Sequence, residues 1–357
     1  MPMPPLRRRR FALWAASSLL PIRGATAQPQ RQHLGDMHSH YNMFAPSPSD
    51  MRHYMEYTGT TLLAWAIDDD RPFFQVVSQR IKQTRQPAPG ELWDYFQSRV
   101  ERHDKQLRAW NLPKVLTSAD VDAALAGKPH VVMASEAANF LEGKPERVAQ
   151  AHAMGLRHLQ LVHYIETPLG DIQTEAPRHD KMPEVTLRVI QACKRLGILV
   201  DLSHSTPDFV DAALAGSDAV MVWGHSWVAR WGFKWSDWQH RSRALPLSTA
   251  KQIAARGGVI GLWAAGVPAD SSYPLRGKGT QGVTEYADQI MRMVDWLGPK
   301  AVAFGTDMHG VPNSVLANYA DLREVADNLA SRGLSADDLN DICIGNYARV
   351  LKQAMSV

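Results

Sequence analysis

Eight short apolar segments, separated by stretches with helical periodicity, limit the fold of this 357-residue chain more than any other feature. They lie at residues 34–40, 61–67, 130–137, 158–164, 197–205, 219–226, 258–265 and 301–310. Runs of this length indicate buried strands, and strands that alternate with helices form parallel sheets. Eight such units predict a (β/α)8 TIM barrel. An open doubly wound sheet is the alternative, but no glycine-rich nucleotide-binding motif follows the first run.

The segments between the apolar runs carry recognisable helix boundaries. Thr117 and Asp120 form a capping pair at the start of one helical pattern. Ser335 precedes a pattern that predicts a last helix over roughly 336–353. The segment 68–115 is long for a single connection, which predicts additional helices over one end of the barrel.

The first 27 residues have the composition of an export signal. Four arginines at positions 7–10 precede an apolar run at 11–22, and an A-x-A sequence ends at Ala27. We predict a twin-arginine-type signal that is cleaved after Ala27, which leaves a single mature domain over 28–357 in the periplasm or outside the cell. The apolar run is shorter than the roughly 20 residues that a membrane span needs. No stable membrane span is therefore expected after cleavage.

Charge and cysteine content exclude two other classes of protein. Residues 1–27 hold five of the 39 basic residues and no acidic residue, so their removal leaves 34 basic residues against 36 acidic ones. This balance provides no basic patch, and we expect no nucleic-acid partner. Cys193 and Cys343 are the two cysteines of the sequence, too few for a disulfide framework in a chain of this length. Cys193 lies on the apolar face of a predicted helix, where we expect a buried free thiol.

Polar side chains with metal-binding chemistry stand at the carboxyl ends of most of the predicted strands. They are His38, His40, Glu136, His163, His204, His225 and Asp307. Each one alone has a structural interpretation, such as a hydrogen-bonded histidine or a carboxylate that caps the next helix. A barrel gathers the carboxyl ends of its strands at one mouth, so we expect the whole set to converge there. Because histidine is the commonest metal ligand and carboxylates complete such sites, the set predicts a metal centre.

The spacing within the first strand supports this prediction. Asp36, His38 and His40 follow a period of two, which places all three side chains on one face of the strand. Asp36 lies one step deeper, where it is suited to orienting a histidine. If Glu136 holds two cations, a hydroxide becomes available near neutral pH to attack a carbonyl, and Asp307 is suited to passing the proton to a leaving amine.

The chain resembles the membrane dipeptidase (renal dipeptidase-like) family of metallopeptidases, within the amidohydrolase-type barrels. The motif "GILVDLSHS" is the most specific match, and "ASEAANFLEG", "LVHYIETPLGD", "VWGHS", "AFGTDMHGV" and "GNYARVL" occur in the family's order. The resemblance covers most of the mature chain. It implies a barrel of the metal-dependent hydrolase type and a metallodipeptidase activity on small peptides.

The resemblance also implies a role for each matching residue. The metal ligands would be His38, the bridging Glu136, His204 and His225. His163 would contact the substrate carbonyl oxygen and Asp307 would act as the acid and base. Arg243, in a short "RALP" run, would hold the free carboxylate of the peptide.

Two carboxylates of the family's pattern are histidines in this chain. The family's His-x-Asp in the first strand is His38-Ser39-His40, and its Asp-x-Asp-Gly in the last strand is Asp307-Met308-His309-Gly310. We favour His40 as a ligand of a first metal, which gives two divalent ions. The alternative is a single ion on Glu136, His204 and His225. The ligands suit zinc without excluding other metals, and the role of His309 is open.

Two further segments depart from the family or stand out by composition. The family's usual strand-2 segment is replaced by "AWAIDDDRPFF" at 64–74. We interpret Asp68 to Asp70 within it as a solvated turn, or alternatively as residues that face the mouth and contact the substrate. Tryptophans at 227, 231, 235 and 238 have helical spacing and predict one aromatic face. This face either packs on the barrel rim or, through Trp231, lines the substrate pocket.

The leading hypothesis is an exported metal-dependent dipeptidase, with zinc as the metal that the ligands suit. A second hypothesis is an amidohydrolase that acts on N-acyl amino acids, lactones or β-lactams. A non-catalytic binding protein on a degenerate barrel is the third. A homodimer is compatible with the sequence, which does not determine the oligomeric state.

Overall fold

A computed structural model describes residues 32–41, 50–78, 80–232, 234–237, 239–266 and 275–356. The predicted export signal at residues 1–27 lies outside this part of the chain. None of the helices in the described ranges is both long and apolar enough to cross a lipid bilayer.

Within the described residues, eight parallel strands form one sheet that follows the order of the chain. The strands are β1 (Leu34–Ser39), β2 (Thr60–Ile67), β3 (His130–Ser135), β4 (Leu156–Gln160), β5 (Leu199–Asp201), β6 (Met221–Ser226), β7 (Ile260–Leu262) and β8 (Val302–Phe304). Each strand lies within or overlaps one of the eight apolar segments. The predicted barrel is therefore confirmed, and the open doubly wound sheet is excluded.

The last strand returns to the first and nearly closes the barrel. The backbone N–H of Asp307 donates to the carbonyl oxygen of His38 at 2.9 Å, and the N–H of His40 donates to that of Met308 at 2.9 Å. These bonds lie just beyond the hydrogen-bonded part of β8. They place the end of β1 beside the chain that follows β8, so that residues from both strands share the mouth.

Helices connect the strands and cover the outside of the barrel. In the described ranges the α-helices of eight residues or more are Met51–Thr58, Glu91–Ala109, Ser118–Leu125, Glu184–Leu196, Pro207–Gly216, Leu247–Ala255, Thr280–Leu297, Tyr319–Ala330 and Asn346–Met355. Shorter helices are Arg147–Ala153, Gln239–Ser242 and Ala336–Asn340. Thr117 and Asp120 form the predicted capping box. The predicted last helix begins after Ser335 and contains a π-helical segment at Asp341–Gly345.

The segment between β2 and β3 adds a cover to the barrel, as its length predicts. It forms a two-stranded antiparallel hairpin of Phe74–Val77 with Arg80–Gln83, followed by the 19-residue helix Glu91–Ala109. Phe96 of this helix stacks on Phe140 with ring centroids 3.9 Å apart. The contact packs the helix against the loop that follows β3.

The two cysteines are buried and not joined to each other. Cys193 lies on the inner face of helix Glu184–Leu196, and burial raises the pKa of its thiol to about 12. Such a thiol stays protonated and packs as a small apolar side chain. The prediction of a buried free thiol is confirmed.

Candidate metal centre

Five histidine side chains surround the carboxylate of Glu136 at the mouth of the barrel. The nearest is His40, whose Nε2 lies 2.8 Å from Glu136 Oε2. The other four approach Oε1 with their Nε2 atoms, namely His163 at 3.2 Å, His225 at 3.3 Å, His204 at 3.4 Å and His38 at 3.5 Å. All six side chains are buried. The structure therefore brings together all the ligands predicted from the sequence, together with His163.

The strand ends explain this convergence. His38 belongs to β1 and His225 to β6, while Glu136 and His204 come directly after β3 and in the turn after β5. The backbone of His204 has φ 69°, in the left-handed region that is unfavourable for a residue with a side chain. This conformation accompanies the contact of its imidazole with Glu136, because a strained backbone persists where surrounding contacts over-determine it.

The geometry of the cluster fits a bound cation. The Nε2 atoms of His38 and His40 are 3.1 Å apart, and those of His204 and His225 are also 3.1 Å apart. Such clustering of imidazole nitrogens around one carboxylate gives the donor set expected of a zinc site. Among the described residues, ligand atoms of His38, Glu136 and His225 form one compact group, and those of His38, His40 and Asp307 form another. The donor atoms around Glu136 therefore fit a divalent metal ion.

Electrostatics favour the neutral, metal-binding form of two of these histidines. Burial and the nearby Arg243 guanidinium lower the pKa of His204 well below its ordinary value. Burial, followed by the charge of His38, lowers the pKa of His225 to about 4. Both imidazoles are then neutral at pH 7, which is the form that binds metals. Burial opposes ionisation of Glu136, yet His163 and its neighbours hold the pKa of this carboxyl well below its usual range.

Asp307 adds a second carboxylate at the edge of the cluster. Its Oδ2 accepts a hydrogen bond from Trp263 Nε1 at 2.8 Å. Its Oδ1 lies 3.4 Å from His40 Nε2 and is buried without a hydrogen-bond partner among the described residues. One oxygen is thus fixed by an indole and the other faces the cluster, as a carboxylate that exchanges a proton requires.

Asp36 stabilises strand β1 below the cluster. None of its described contacts is with a histidine ring. It accepts from the backbone N–H of His38 at 3.2 Å, from the Thr306 backbone and hydroxyl at 2.9 and 2.6 Å, and from the Tyr319 hydroxyl at 2.7 Å. Its carboxylate therefore ties β1 to the end of β8. It orients His38 through the backbone, whereas the sequence suggested that it would orient a histidine directly.

The interpretation of Asp68 to Asp70 as a solvated turn is wrong. Asp68 is 7 % exposed, and Asp69 and Asp70 are fully buried. The loops after β3 and β4 supply the hydrogen bonds that make this burial tolerable, because a buried carboxylate needs donors. The backbone N–H of Phe140 donates to Asp69 at 2.9 Å, and Nδ1 of His163 lies 2.8 Å from Asp70 Oδ1. Burial raises the pKa of Asp68 and of Asp69 well above the usual range.

Arg243 lies at the mouth with part of its guanidinium uncommitted. Nη1 donates to the Tyr164 hydroxyl at 3.0 Å, Nε donates to Gln173 Oε1 at 3.3 Å, and the Trp263 ring lies 4.8 Å from Cζ. Nη2 is buried and has no hydrogen-bond partner among the described residues. A planar guanidinium with a free N–H edge is suited to a carboxylate ligand.

The helix predicted from the tryptophan spacing is not formed by the described residues between Trp227 and residue 237. This segment continues from β6 into the short strand Val228–Ala229, which pairs with Leu245–Pro246. Arg80 then binds the backbone carbonyl oxygens of residues 235 and 237 at 2.9 Å each. These long-range bonds replace the bonds within a helix, so tertiary structure overrides the local pattern.

The individual tryptophans therefore do not form one helical face. Trp227 is buried, Trp231 is 67 % exposed and Trp235 is 43 % exposed. Trp238 lies outside the described residues. A role of Trp231 in substrate binding stays a prediction.

His309 is buried next to the cluster. Its ring centroid lies 5.5 Å from that of Tyr41, and burial, reinforced by the charge of His40, lowers its pKa to about 4. It is therefore neutral at pH 7. The sequence did not reveal Trp263, Tyr164 and Gln173 as contacts of the site, because each contacts it through a partner distant in sequence. For Asp70 the signal was the run of three aspartates after β2, which we interpreted only alternatively as facing the mouth.

Comparison with known proteins identifies a family. The family model described as membrane dipeptidase (peptidase family M19) matches residues 89–357. The curated proteins that are similar include dipeptidase aclJ of Aspergillus oryzae, 23 % identical over 63 % of this chain and 51 % of its own length. Dipeptidase verJ of Clonostachys rogersoniana is 23 % identical over 74 % of this chain and 64 % of its own length. The chain thus spans about half to two thirds of the length of these relatives.

Solved structures share the fold over almost the whole chain. A metallopeptidase described as dipeptidase AC of family M19 has a TM-score of 0.75 at 19 % identity, covering 92 % of this chain and 100 % of its own. A metallopeptidase from Rhodobacter sphaeroides, liganded with a phosphinate mimic of the dipeptide L-Ala-D-Ala, has a TM-score of 0.73 at 18 % identity, covering 91 % and 99 %. At this level of identity the likeness supports the barrel fold.

Proposed function

The chain belongs to the membrane dipeptidase family, peptidase family M19, and on that premise we propose that it is a metal-dependent dipeptidase. The observation that carries the proposal is the ring of five imidazole nitrogens within 3.5 Å of Glu136. The reaction is hydrolysis of the single amide bond of a dipeptide by an activated water.

We propose that His38, His40, Glu136, His204 and His225 would hold two divalent ions. Zinc is the metal that this nitrogen-rich set suits best. A divalent ion bound there lowers the pKa of a water and polarises a carbonyl group. The neutral state of His204 and His225 supports their role as ligands.

The remaining residues bind the substrate and move the proton. Arg243 holds the free carboxylate of the dipeptide through its uncommitted Nη2. A required carboxylate explains why the enzyme would act on dipeptides and not on long chains, because binding at that end fixes the position of the amide. His163 contacts the carbonyl oxygen. Asp307 takes the proton of the attacking water on Oδ1 and delivers it to the leaving amine, while Trp263 holds Oδ2.

Metal analysis and kinetics test this function together. We expect purified protein to hydrolyse simple dipeptides and to contain about two equivalents of zinc, as a site with a bridging carboxylate requires. The His40→Ala variant should lose about one equivalent. A single equivalent in the wild type, unchanged in His40→Ala, would exclude the two-ion site and leave the alternative of one ion on Glu136, His204 and His225.

Hydrolysis of N-acyl amino acids, lactones or β-lactams is the second candidate. It is favoured by His40 and His309, which stand where the resembled family has carboxylates and so reduce the negative charge available to a substrate ammonium group. Hydrolysis rates measured side by side on L,L- and L,D-dipeptides and on their N-acetylated forms distinguish the two candidates. Faster hydrolysis of the acetylated forms would favour the second. No turnover on the panel at full metal loading would favour a binding protein.

We also propose that the protein is exported to the periplasm or beyond through a twin-arginine-type signal. The support is the sequence of residues 1–27, with arginines at 7–10 and an A-x-A sequence that ends at Ala27. The amino-terminal sequence of the protein recovered from the periplasm should begin at Gln28. Recovery of the uncleaved chain from the cytoplasm would contradict export.

A further inference from the structure

We propose that Asp70 is a positioning residue for His163, which it holds by accepting the hydrogen of Nδ1 so that Nε2 points at Glu136. The proposal rests on the proposed function for its kinetic consequence, because His163 is the residue proposed to contact the substrate carbonyl. Its structural part concerns the two side chains alone.

The contact between the two residues has the geometry of a strong hydrogen bond. Asp70 Oδ1 lies 2.8 Å from His163 Nδ1, and His163 Nε2 lies 3.2 Å from Glu136 Oε1 on the other side of the ring. An ionised carboxylate only accepts hydrogen bonds, so Nδ1 must carry a hydrogen. Asp68 Oδ1 is 3.6 Å from the same nitrogen, which is too long for a hydrogen bond. Asp70 is therefore the partner that fixes the ring.

The position of Asp70 is itself determined by two neighbouring loops. Its Oδ2 accepts from the side-chain amide of Asn139, after β3, at 3.2 Å, and from the backbone N–H of Tyr164, after β4, at 3.1 Å. Both carboxylate oxygens are thus occupied, and the side chain is fully buried. Asp70, which follows β2, thus connects the loops after β3 and β4 to the Nδ1 edge of the His163 ring. A hydrogen-bonded carboxylate of this kind sets both the orientation and the hydrogen position of an imidazole.

These contacts make the consequence of Asp70→Asn specific. The single amide oxygen of asparagine must remain with Asn139 and with the Tyr164 N–H, since both are donors. The amide NH2 group then faces His163 Nδ1, which has to become an acceptor. The substitution keeps the size of the side chain and moves the hydrogen away from Nδ1. Asp69→Asn is the matched control, because it makes the same chemical change one residue away. Asp69 is equally buried but accepts from the Phe140 N–H instead.

Nitrogen NMR of the zinc-loaded protein labelled with 15N-histidine tests the structural part. The His163 signals are identified by their loss in His163→Gln. We expect a hydrogen-bearing Nδ1 in the wild type and in Asp69→Asn, and an Nδ1 without hydrogen in Asp70→Asn. Zinc content and the circular dichroism spectrum establish that the variants are folded and loaded. A wild-type Nδ1 without hydrogen would overturn the proposal even if Asp70→Asn failed to fold.

Kinetics on a dipeptide test the consequence. We expect kcat to fall about 10- to 100-fold in Asp70→Asn, as for other residues that orient a functional histidine, and to change little in Asp69→Asn. In a His163→Gln background, Asp70→Asn should have no further effect, because the two residues act as one unit. An equal fall with and without His163 would overturn the proposal. Absence of dipeptide hydrolysis by the wild type would refute the proposed function alone, since the NMR result does not depend on activity.

Discussion

At the scale of single residues, three residues at the mouth of the barrel have unfavourable left-handed backbone conformations. His204, Asp307 and His309 have φ values of 69°, 55° and 67°. Each left-handed residue of this kind costs roughly 1–3 kcal/mol and persists where surrounding contacts over-determine it. At the mouth those contacts include the Glu136 carboxylate for His204 and the Trp263 indole for Asp307. Side-chain identity in the sequence indicates that such residues matter, but it does not reveal the backbone that aims them.

Gly310 shows how little space the mouth leaves. A Cβ at this position would lie 2.2 Å from Asp307 Oδ1 and 2.4 Å from His40 Cδ2. We expect Gly310→Ala to displace both side chains and to lower kcat/KM for a dipeptide by about 10- to 100-fold, since small displacements of reacting groups have effects of this size. Zinc content should fall in parallel.

Gly216→Ala is the control for this substitution. Gly216 lies at the end of a helix, and the nearest atoms to its Cβ belong to the flexible side chain of Leu187. Activity and zinc content should stay at wild-type values there. Full activity of Gly310→Ala would mean that Asp307 and His40 are not constrained as the geometry requires.

At the scale of secondary-structure elements, a buried carboxylate joins three neighbouring strands inside the barrel. Asp201, at the end of β5, accepts from the Gly224 N–H of β6 at 2.9 Å and from the Ser203 N–H and hydroxyl at 2.8 and 2.6 Å. His158 Nε2 of β4 lies 3.3 Å from its Oδ2. Burial opposes ionisation, but these partners, His158 first, lower the pKa of Asp201 to about 2. The carboxylate thus stabilises the register of β4, β5 and β6 below the metal ligands.

This pKa predicts a pH-dependent contribution to stability. Because the pKa is lower in the folded protein than in the unfolded chain, the stabilisation is present above about pH 4 and is lost as the pH falls towards about 2. We expect Asp201→Asn to reduce the free energy of unfolding by about 1.5–3 kcal/mol at pH 7, the range for hydrogen bonds to a charged group. Urea unfolding at pH 7 and at pH 3 measures the difference between variant and wild type. A difference of equal size at both pH values would contradict the ionised state of Asp201.

At the scale of the whole molecule, the fold was predictable where it depends on local pattern. The eight apolar runs gave the strands, and the polar residues at their ends gave the positions of Glu136 and its histidines, because topology alone brings strand ends together. Two predictions failed where distant residues decide the outcome. Arg80 binds the backbone carbonyl oxygens that would have accepted hydrogen bonds within a tryptophan-rich helix. The loops after β3 and β4 supply the hydrogen-bond donors that allow Asp70 to be buried. Neither partner can be identified from the local sequence.

The proposed metal centre predicts how the barrel responds to removal of bound ions. The proposed ligands come from the ends of β1, β3, β5 and β6, so a bound ion connects strands across most of the barrel. Because these ligands come together only in the folded protein, the ion stabilises the folded state and not the unfolded chain. Ions at about 1,000 times their dissociation constant add about 4 kcal/mol to the free energy of unfolding. For a chain of this size we expect a chelator to lower the melting temperature by about 5 °C or more. Glu136→Gln, which weakens ion binding without changing side-chain size, should melt near the chelated wild type and respond little to chelator. A wild-type melting temperature that chelator leaves unchanged, in protein shown to have lost its metal, would contradict this structural role of the ions.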